Sequence, residues 1–359
     1  MASDRIIRNS GRVVARQIAE ELGVSISTVS RSFSSDASVA PKTRAKVLEA
    51  AKLHGYQPDP FARTLITHKT RIASIFISEI SNPFFIEALT MLTDALQSYG
   101  LTAMLFHVPS DKSPEEILPQ ALLYRPEYLI VMTATVSFQS AIAEIDTNSH
   151  LIFFNRYIPG SNTFSVTCDN YKGGRELAEL LIKTGHRKMA YIAGTPDATT
   201  SIDRGVGFID QCAEFGISVI SNNDAKHFSY AEGYRGAEKL LSQHNDLDAI
   251  YCANDIMAIG AINAISYEIG LRVPQDISVV GFDDVEMASW PAHSLTTYRH
   301  PTRRMVYATM ELIRDLDENP NITPIAKRIP GHLVLRNTHT NRKSGESGHG
   351  ASPSLPKLQ

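Results

Sequence analysis

Cysteine is scarce in this chain. Its 359 residues hold three, Cys168, Cys212 and Cys252. They form no Cys-x-x-Cys pair and no even-numbered set, which excludes a disulfide framework. Each lies in an apolar context and reads as a buried small hydrophobe in a reducing cytoplasm, the expected compartment. Long hydrophobic runs are also absent. No stretch reaches the ~20 apolar residues that span a bilayer. The opening MASDRIIRNSGRVVARQ has no apolar core of signal-peptide length, so neither a membrane nor a secreted protein is expected. A Walker P-loop is missing, since Gly173-Gly174 lacks its spacing and the following Lys-Ser/Thr. The 12 histidines are scattered. With no metal cluster and no nucleophile–base pair in view, no enzyme, metal or cofactor is expected.

Net charge is small as well, formally -3 from 35 basic and 38 acidic residues. Taken alone that total argues against a nucleic-acid partner, but its distribution reverses the reading. Residues 1–69 carry 11 Lys/Arg against 6 Asp/Glu, a net of +5, and the remaining 290 residues carry -8. A small basic head is joined to a large acidic body. With 43% apolar and 20% charged residues, the whole is an ordinary globular composition. The length suits two or three domains.

In the head, Ile18, Ala19 and Leu22 recur at helical spacing and Gly23 stops that helix,. Ser25 is a good N-cap for a second helix, where Val29 and Phe33 lie one turn apart. This is a helix-turn-helix. Ser25, Ile26, Ser27, Thr28 and Arg31 lie on or beside the second helix, away from Val29. Small polar residues and one Arg suit a helix lying in a major groove of double-stranded DNA. A third helix is expected from Pro41, with Val47, Leu48, Ala51 and Leu53 as its apolar stripe. Lys42, Thr43 and Arg44 open it, where backbone N–H groups and cations clamp a phosphate. The plain alternative is a solvent-exposed helical hairpin. Pro58 and Pro60 then break the chain into a connector, residues 58–70. A short helix there would order only against a partner, and Leu65 would wedge into a minor groove or pack on the body.

From residue 72, short apolar runs alternate with amphipathic stretches. Strands are expected at Ile72–Ile77, Thr102–Phe106, Tyr128–Met132, His150–Phe154, Ser165–Thr167, Lys188–Ile192, Ala249–Cys252 and Ser278–Phe282. Helices are expected over 84–99, 114–124, 137–145, 170–184, 203–215, 231–243, 255–269 and 301–316. The alternation means an α/β body of parallel sheets, with too many units for one six-stranded sheet. Two lobes with a ligand between strand ends are expected. The polar tail over 337–359 reads as disordered and carries no leucine heptad.

Many motifs then occur in order. They are IAEELGVSISTVSRSF, VAPKTRAKVLEAAKLHGYQPD, SNPFF at 81–85, CDNYKGG at 168–174, GHRKMAYIAG at 185–194 and DRGVGF at 203–208. AEGYRGAEKLL, CANDIMAIGAINA, VPQDISVVGFDDVEMASW and SLTTYRHP follow. On these the chain, over about 13–336, resembles the lactose-repressor/galactose-repressor (LacI/GalR) family of bacterial transcription regulators.

The resemblance implies a helix-turn-helix head (1–57), a hinge (58–70) and a periplasmic-binding-protein-like core (71–336). The first lobe would hold 71–167 and 299–325, the second 168–298 and 326–336. It implies a homodimer on a near-palindromic operator, acting as a repressor and controlled by a small effector; a pocket of Arg, Asp, Asn and aromatics suits a carbohydrate, leaves a nucleobase open, and with one Arg does not exclude a phosphate. Ile26, Ser27 and Arg31 would face bases. Thr28, Lys42, Thr43 and Arg44 would lie near phosphates, and Ala62 and Leu65 would enter the central minor groove. Phe84, Phe85 and Phe228 would wall the effector cleft, with Asn155, Arg156, Arg204, Asn254 and Asp283 as its polar groups. Phe84 and Phe85 read equally as ordinary core, and Asp284 as a helix cap.

Three departures stand out. Ala40 replaces the usual hydroxyl residue before the third helix. Asp59 begins the hinge, where Asn or a small residue is commoner. Asn155-Arg156 stands where Asp-Arg is usual. A solute-binding protein of a transport system explains the body but not the head.

Overall fold

The structure is a computed structural model, and it describes residues 10–33, 38–56, 69–78, 80–109, 112–133 and 149–342, with side chains from Ala15 onward. The hinge positions Ala62 and Leu65, Asp59 and the helix expected over 137–145 lie outside these. The chain divides into two compact units, 1–71 and 72–359, described separately.

The smaller unit holds α1 (Ser10–Glu21), α2 (Ile26–Arg31) and α3 (Pro41–Leu53). Gly23 takes φ +63° between the first two, the left-handed conformation that a tight stop needs,. The core is Ile18, Ala19, Val29, Val47, Ala50 and Ala51, with Leu22, Val24, Phe33 and Tyr56 packed at its edge. The expected stripe on α3 is therefore corrected. Leu48 and Leu53 are exposed, at 42% and 79%, and Ala50 is buried. Helical geometry explains it: Val47, Ala50 and Ala51 stand at i, i+3, i+4. Leu48 is rotated about 100° from Val47, and Leu53 about 120° the other way.

The larger unit contains two six-stranded sheets. The first is built from β1 (Ile72–Ile77), β2 (Thr102–His107), β3 (Tyr128–Met132), β4 (His150–Phe154), β5 (Phe164–Cys168) and β11 (Ala326–Ile329), ordered β11-β5-β4-β3-β1-β2. The second is built from β6 (Met189–Ile192), β7 (Val219–Asn222), β8 (Ala249–Cys252), β9 (Ser278–Asp283), β10 (Thr296–Arg299) and β12 (His332–Val334), ordered β12-β10-β9-β8-β6-β7. All neighbours are parallel except β10–β12. Strands β1, β3, β5, β8 and β9 are buried throughout, which is why they read as continuous apolar runs,. The helices that cover the sheets are α4 (Pro83–Ser98), α5 (Pro114–Leu122), α6 (Asn170–Lys183), α7 (Thr199–Glu214), α8 (Tyr230–Gln243), α9 (Asp255–Asn263) and α10 (Thr302–Glu318). A π-helical turn, Ala264–Ile269, continues α9 to Gly270 at φ +78°.

Two boundaries are corrected. Residues 326–329 belong to the first lobe, because β11 pairs with β5, Ala326 opposite Ser165. The chain crosses to the second sheet only at Pro330-Gly331. A Cβ on Gly331 would stand 2.1 Å from the Arg299 carbonyl oxygen, so a bare glycine is needed there. The tail is ordered through residue 342. The Val279 N–H donates to the Thr338 carbonyl at 2.8 Å and the Thr296 N–H to Thr338 Oγ1 at 2.9 Å. Hydrogen bonds to the second lobe hold this short polar segment where apolar burial alone would not.

Candidate functional site

In the head, the Ser25 hydroxyl accepts from the Thr28 N–H at 3.1 Å, which caps α2. Its oxygen also lies 2.8 Å from Thr28 Oγ1 and 2.7 Å from Ser27 Oγ. With Val29 held in the core, α2 turns Ile26, Ser27 and Arg31 outward. Ile26 is 49% exposed and stands next to a hydroxyl and a guanidinium, side-chain types that can bond or pack against base edges. Lys42 is exposed at the start of α3, and Thr43 and Arg44 are half-buried behind it. Ala40 gives that helix no side-chain cap, as its methyl requires, although Pro41 fits its first position,.

In the body, the polar groups gather at the carboxyl ends of the second sheet. Ile192 stands opposite Cys252 and Tyr251 opposite Val280, and Asp283 pairs with Arg299. Continued past the strands, this register lines up Gly194, Asn254, Asp283 and Arg299, and His300 follows at once, its N–H bonded to the Asp283 carbonyl. Arg204 reaches the row from α7. Gly174 and Gly207 make that reach possible, since a Cβ on either would meet the other helix's backbone, Arg204 O at 2.2 Å and Tyr171 O at 2.1 Å. The guanidinium donates to Asn170 Oδ1 at 2.8 Å, the Ala253 carbonyl at 2.7 Å and Asp283 Oδ1 at 3.0 Å. It also lies 3.7 Å above the Phe282 ring, a cation–π contact,. Both members of the Arg204–Asp283 pair are buried. Burial pushes the Asp283 carboxyl up to about 6 against the pull of Arg204,. Its backbone is at φ +115°, a strained conformation for a residue with a Cβ,.

His300 joins this row to the first lobe. Its Nε2–H donates to Asn155 Oδ1 at 2.8 Å, its ring lies 4.4 Å from that of Phe84, and its N–H donates to the Asp283 carbonyl. Burial and the Arg204 charge hold the imidazole well below its usual range, so it is neutral. With one nitrogen donating, Nδ1 carries a lone pair, and it is buried without a partner,. Beside His300 opens a cavity of about 910 Å³, lined also by Pro83, Ile86, Glu87, Asp284 and Arg299. Burial and the Asp284 charge raise the Glu87 carboxyl.

Of the residues singled out in the sequence, Phe84, Asn155, Arg204 and Asp283 are thus linked through His300 and Phe282. Phe85 packs edge-on against Phe84 in the core, and both rings are buried. Arg156 is buried at 2% exposure. Asn254 caps α9, accepting from the Met257 N–H at 2.9 Å, while its Nδ2 is buried without a partner. Phe228 rests on Gly194, where a Cβ would stand 2.1 Å from its ring. Asp284 caps no helix; it pairs with Arg299 at 2.5 Å and Arg336 at 2.6 Å. Sequence reasoning missed His300, Asn170 and Phe282. Each had a signal: SLTTYRHP, CDNYKGG and GFDD place them directly at strand ends. Among the described residues no cluster of His, Cys, Asp or Glu fits a metal ion, and no helix is long and apolar enough to cross a membrane.

Known proteins match both units. Residues 15–59 match the model of bacterial regulatory proteins, lacI family, and residues 178–339 that of a periplasmic binding protein-like domain. The ribose operon repressor of Halalkalibacterium halodurans is 30% identical over 94% of this chain and 99% of its own. A lac repressor dimer bound to operator and an anti-inducer is similar in structure, with a TM-score of 0.79 and 26% identity over 90% of this chain and 98% of that one. The regulator CelR in complex with cellobiose is similar with a TM-score of 0.67 and 25% identity, covering 90% of this chain and 99% of that one.

Proposed function

Because the chain belongs to the lacI family of bacterial regulatory proteins, and is a DNA-binding transcriptional repressor of that kind, we propose that a sugar effector held between the two lobes controls it. The observation that carries this reading is the row of buried polar atoms at the strand ends. Asn254 Nδ2 and His300 Nδ1 lack a protein partner, beside the Arg204–Asp283 pair. An unsatisfied buried polar atom costs about 1–3 kcal/mol, and a ligand hydroxyl pairs with either. The relative named for a ribose operon and the one bound to cellobiose support the sugar.

The lobes are tied by the His300–Asn155 bond and by the Tyr157 hydroxyl, which donates to Asp203 at 3.1 Å. A ligand that competes for, or completes, these contacts shifts the balance between lobe angles in proportion to its differential affinity. The shift reaches DNA through a cytoplasmic homodimer. Strand β2 is the outer strand of its sheet, with Leu105 exposed on it and Tyr124 exposed beside its Phe106, apolar surface that supports a second copy covering this edge. Two heads then meet two half-sites of a near-palindrome. Ile26, Ser27 and Arg31 face bases, and Thr28, Lys42, Thr43 and Arg44 face phosphates. Ala62 and Leu65 enter the minor groove between.

Mobility shifts with a matching palindrome test the reading. Deleting residues 1–66 abolishes specific binding, and one class of sugar changes the affinity of the full chain. Specific binding by the truncated chain would overturn the DNA-reading assignment. Insensitivity to every sugar would overturn the effector.

A further inference from the structure

Helix α7 begins at Thr199 after Ala198, a residue with no side-chain group to cap it. Among the described residues the N–H groups of Thr199, Thr200 and Ser201 have no acceptor; the first bond of this end runs from Ile202 to the Ala198 carbonyl. In most helices such groups face water or a capping oxygen. Here all three residues are buried, at 4–5% exposure. Two hydroxyls flank the same turn, Thr199 Oγ1 and Thr195 Oγ1, both buried and without a partner. Thr195 belongs to that turn because its carbonyl accepts from the Ala198 N–H, and Ser201 Oγ accepts from the Gly194 N–H. Asn254 Nδ2, on the neighbouring strand end, is a further buried donor without a partner.

The strand-end row is therefore polar along its length. Unused donors gather around Thr195, Thr199 and Asn254, and acceptors, Asp283 and His300 Nδ1, stand at the other end. Arg204 is not spare, since its bonds go to Asn170, Ala253 and Asp283. We propose that the effector carries an oxyanion, a carboxylate or a phosphate, seated on the first turn of α7, with hydroxyls turned toward Asp283 and His300. Backbone N–H groups and the positive end of a 16-residue helix favour negative charge there without a dedicated cation,. The inference rests on the sugar reading above and narrows it to sugar acids or sugar phosphates.

Calorimetry and thermal melts of the full chain at constant ionic strength test it. One arm compares glucose, galactose and ribose with glucuronate, galacturonate and gluconate. A second uses glucose 6-phosphate and ribose 5-phosphate, which separates carboxylate from phosphate. One acidic series is expected to bind at least tenfold tighter than its neutral parents. Ala198→Asp, which puts a carboxylate where the oxyanion would sit, is expected to lose more than tenfold of that affinity. Thr199→Val, which keeps the shape without the hydroxyl, is expected to lose severalfold, and it carries the test should the Asp variant not melt cooperatively. Neutral sugars binding as tightly as their acids would overturn the inference and leave the sugar reading standing. A panel in which nothing binds would overturn both.

Discussion

Replacing Asp283 with Asn tests whether the strand-end row is as dry as its burial implies. The carboxyl is fully buried and rises to about 6, from an ordinary value near 3.8. Because the folded pKa lies above the unfolded one, the folded chain holds this proton more tightly. The stability linked to it is fully present below the unfolded value and is lost as pH rises through the folded value. The gap between the two values corresponds to about 3 kcal/mol in all, of which about 1.4 kcal/mol falls between pH 5 and pH 7.5. The Asp283→Asn side chain keeps the shape and an oxygen for the Arg204 guanidinium but does not titrate. The assay is urea unfolding of the wild type and Asp283→Asn at several pH values, read as the difference between the two. Other titrating groups, the buried histidines among them, act in both proteins and largely cancel; Asp255, whose carboxyl the Asp283 charge helps to raise, adds to the difference in the same direction,. The wild type should lose stability relative to the variant by about 1–2 kcal/mol between pH 5 and pH 7.5. Parallel curves would mean that Asp283 titrates as an exposed carboxyl does, and the account of a desolvated Arg204–Asp283 pair would fail.

Other perturbations act on single contacts. Arg204→Met leaves the Asp283 charge buried and alone, and should cost about 3–5 kcal/mol in unfolding free energy, with partial recovery in the Arg204→Met/Asp283→Asn double variant. Gly207→Ala drives a methyl into the Tyr171 carbonyl and should lower stability by at least ~1–3 kcal/mol, measured by thermal melting, because backbone cannot step aside as a flexible side chain would. In the head, Ala40→Ser supplies the cap that α3 lacks. It should raise the head's unfolding free energy by about 0.5–2 kcal/mol and tighten operator binding in anisotropy titrations.

The two-lobed body was legible in the sequence because its parallel strands are buried on both faces. Strands β1, β3, β4 and β8 begin and end at the residues the apolar runs indicate. What escaped was polar. Strands β7, β10, β11 and β12 read VISN, TTYR, AKRI and HLV, too short or too hydrophilic to mark a buried strand. The crossover at Pro330 escaped with them, which is why 326–329 reads as part of the wrong lobe. The site divides in the same way. Asn254 and Asp283 stand at strand ends that were visible, while Arg204, inside a helix, was marked by the family resemblance alone. His300 was one of 12 histidines, and only tertiary packing brings it to Asn155, 145 residues away.

That pair gives the departure at Asn155 a physical meaning. In the family as the resemblance describes it, Asp is usual at this position, and a carboxylate 2.8 Å from an imidazole would favour the imidazolium. Asn instead accepts from a neutral His300, which burial already holds well below its usual range,. The wild-type histidine is thus a group with a lowered folded pKa. It takes no proton in the folded chain, so stability falls as pH drops below about 6.5, where the unfolded chain protonates. Asn155→Asp should raise the His300 pKa through the new charge and reduce that acid loss. NMR titration of the imidazole reads the first effect and urea unfolding at pH 5 and 7 reads the second. The nearby charges work against each other: Arg204 opposes the imidazolium, and Asp283, Glu87 and Asp284 gain a cation to face. An unchanged titration in the Asp variant would separate His300 from Asn155 and remove the bond that ties the lobes across this site. A raised pKa would instead make lobe closure pH-dependent, which the Asn in this chain avoids.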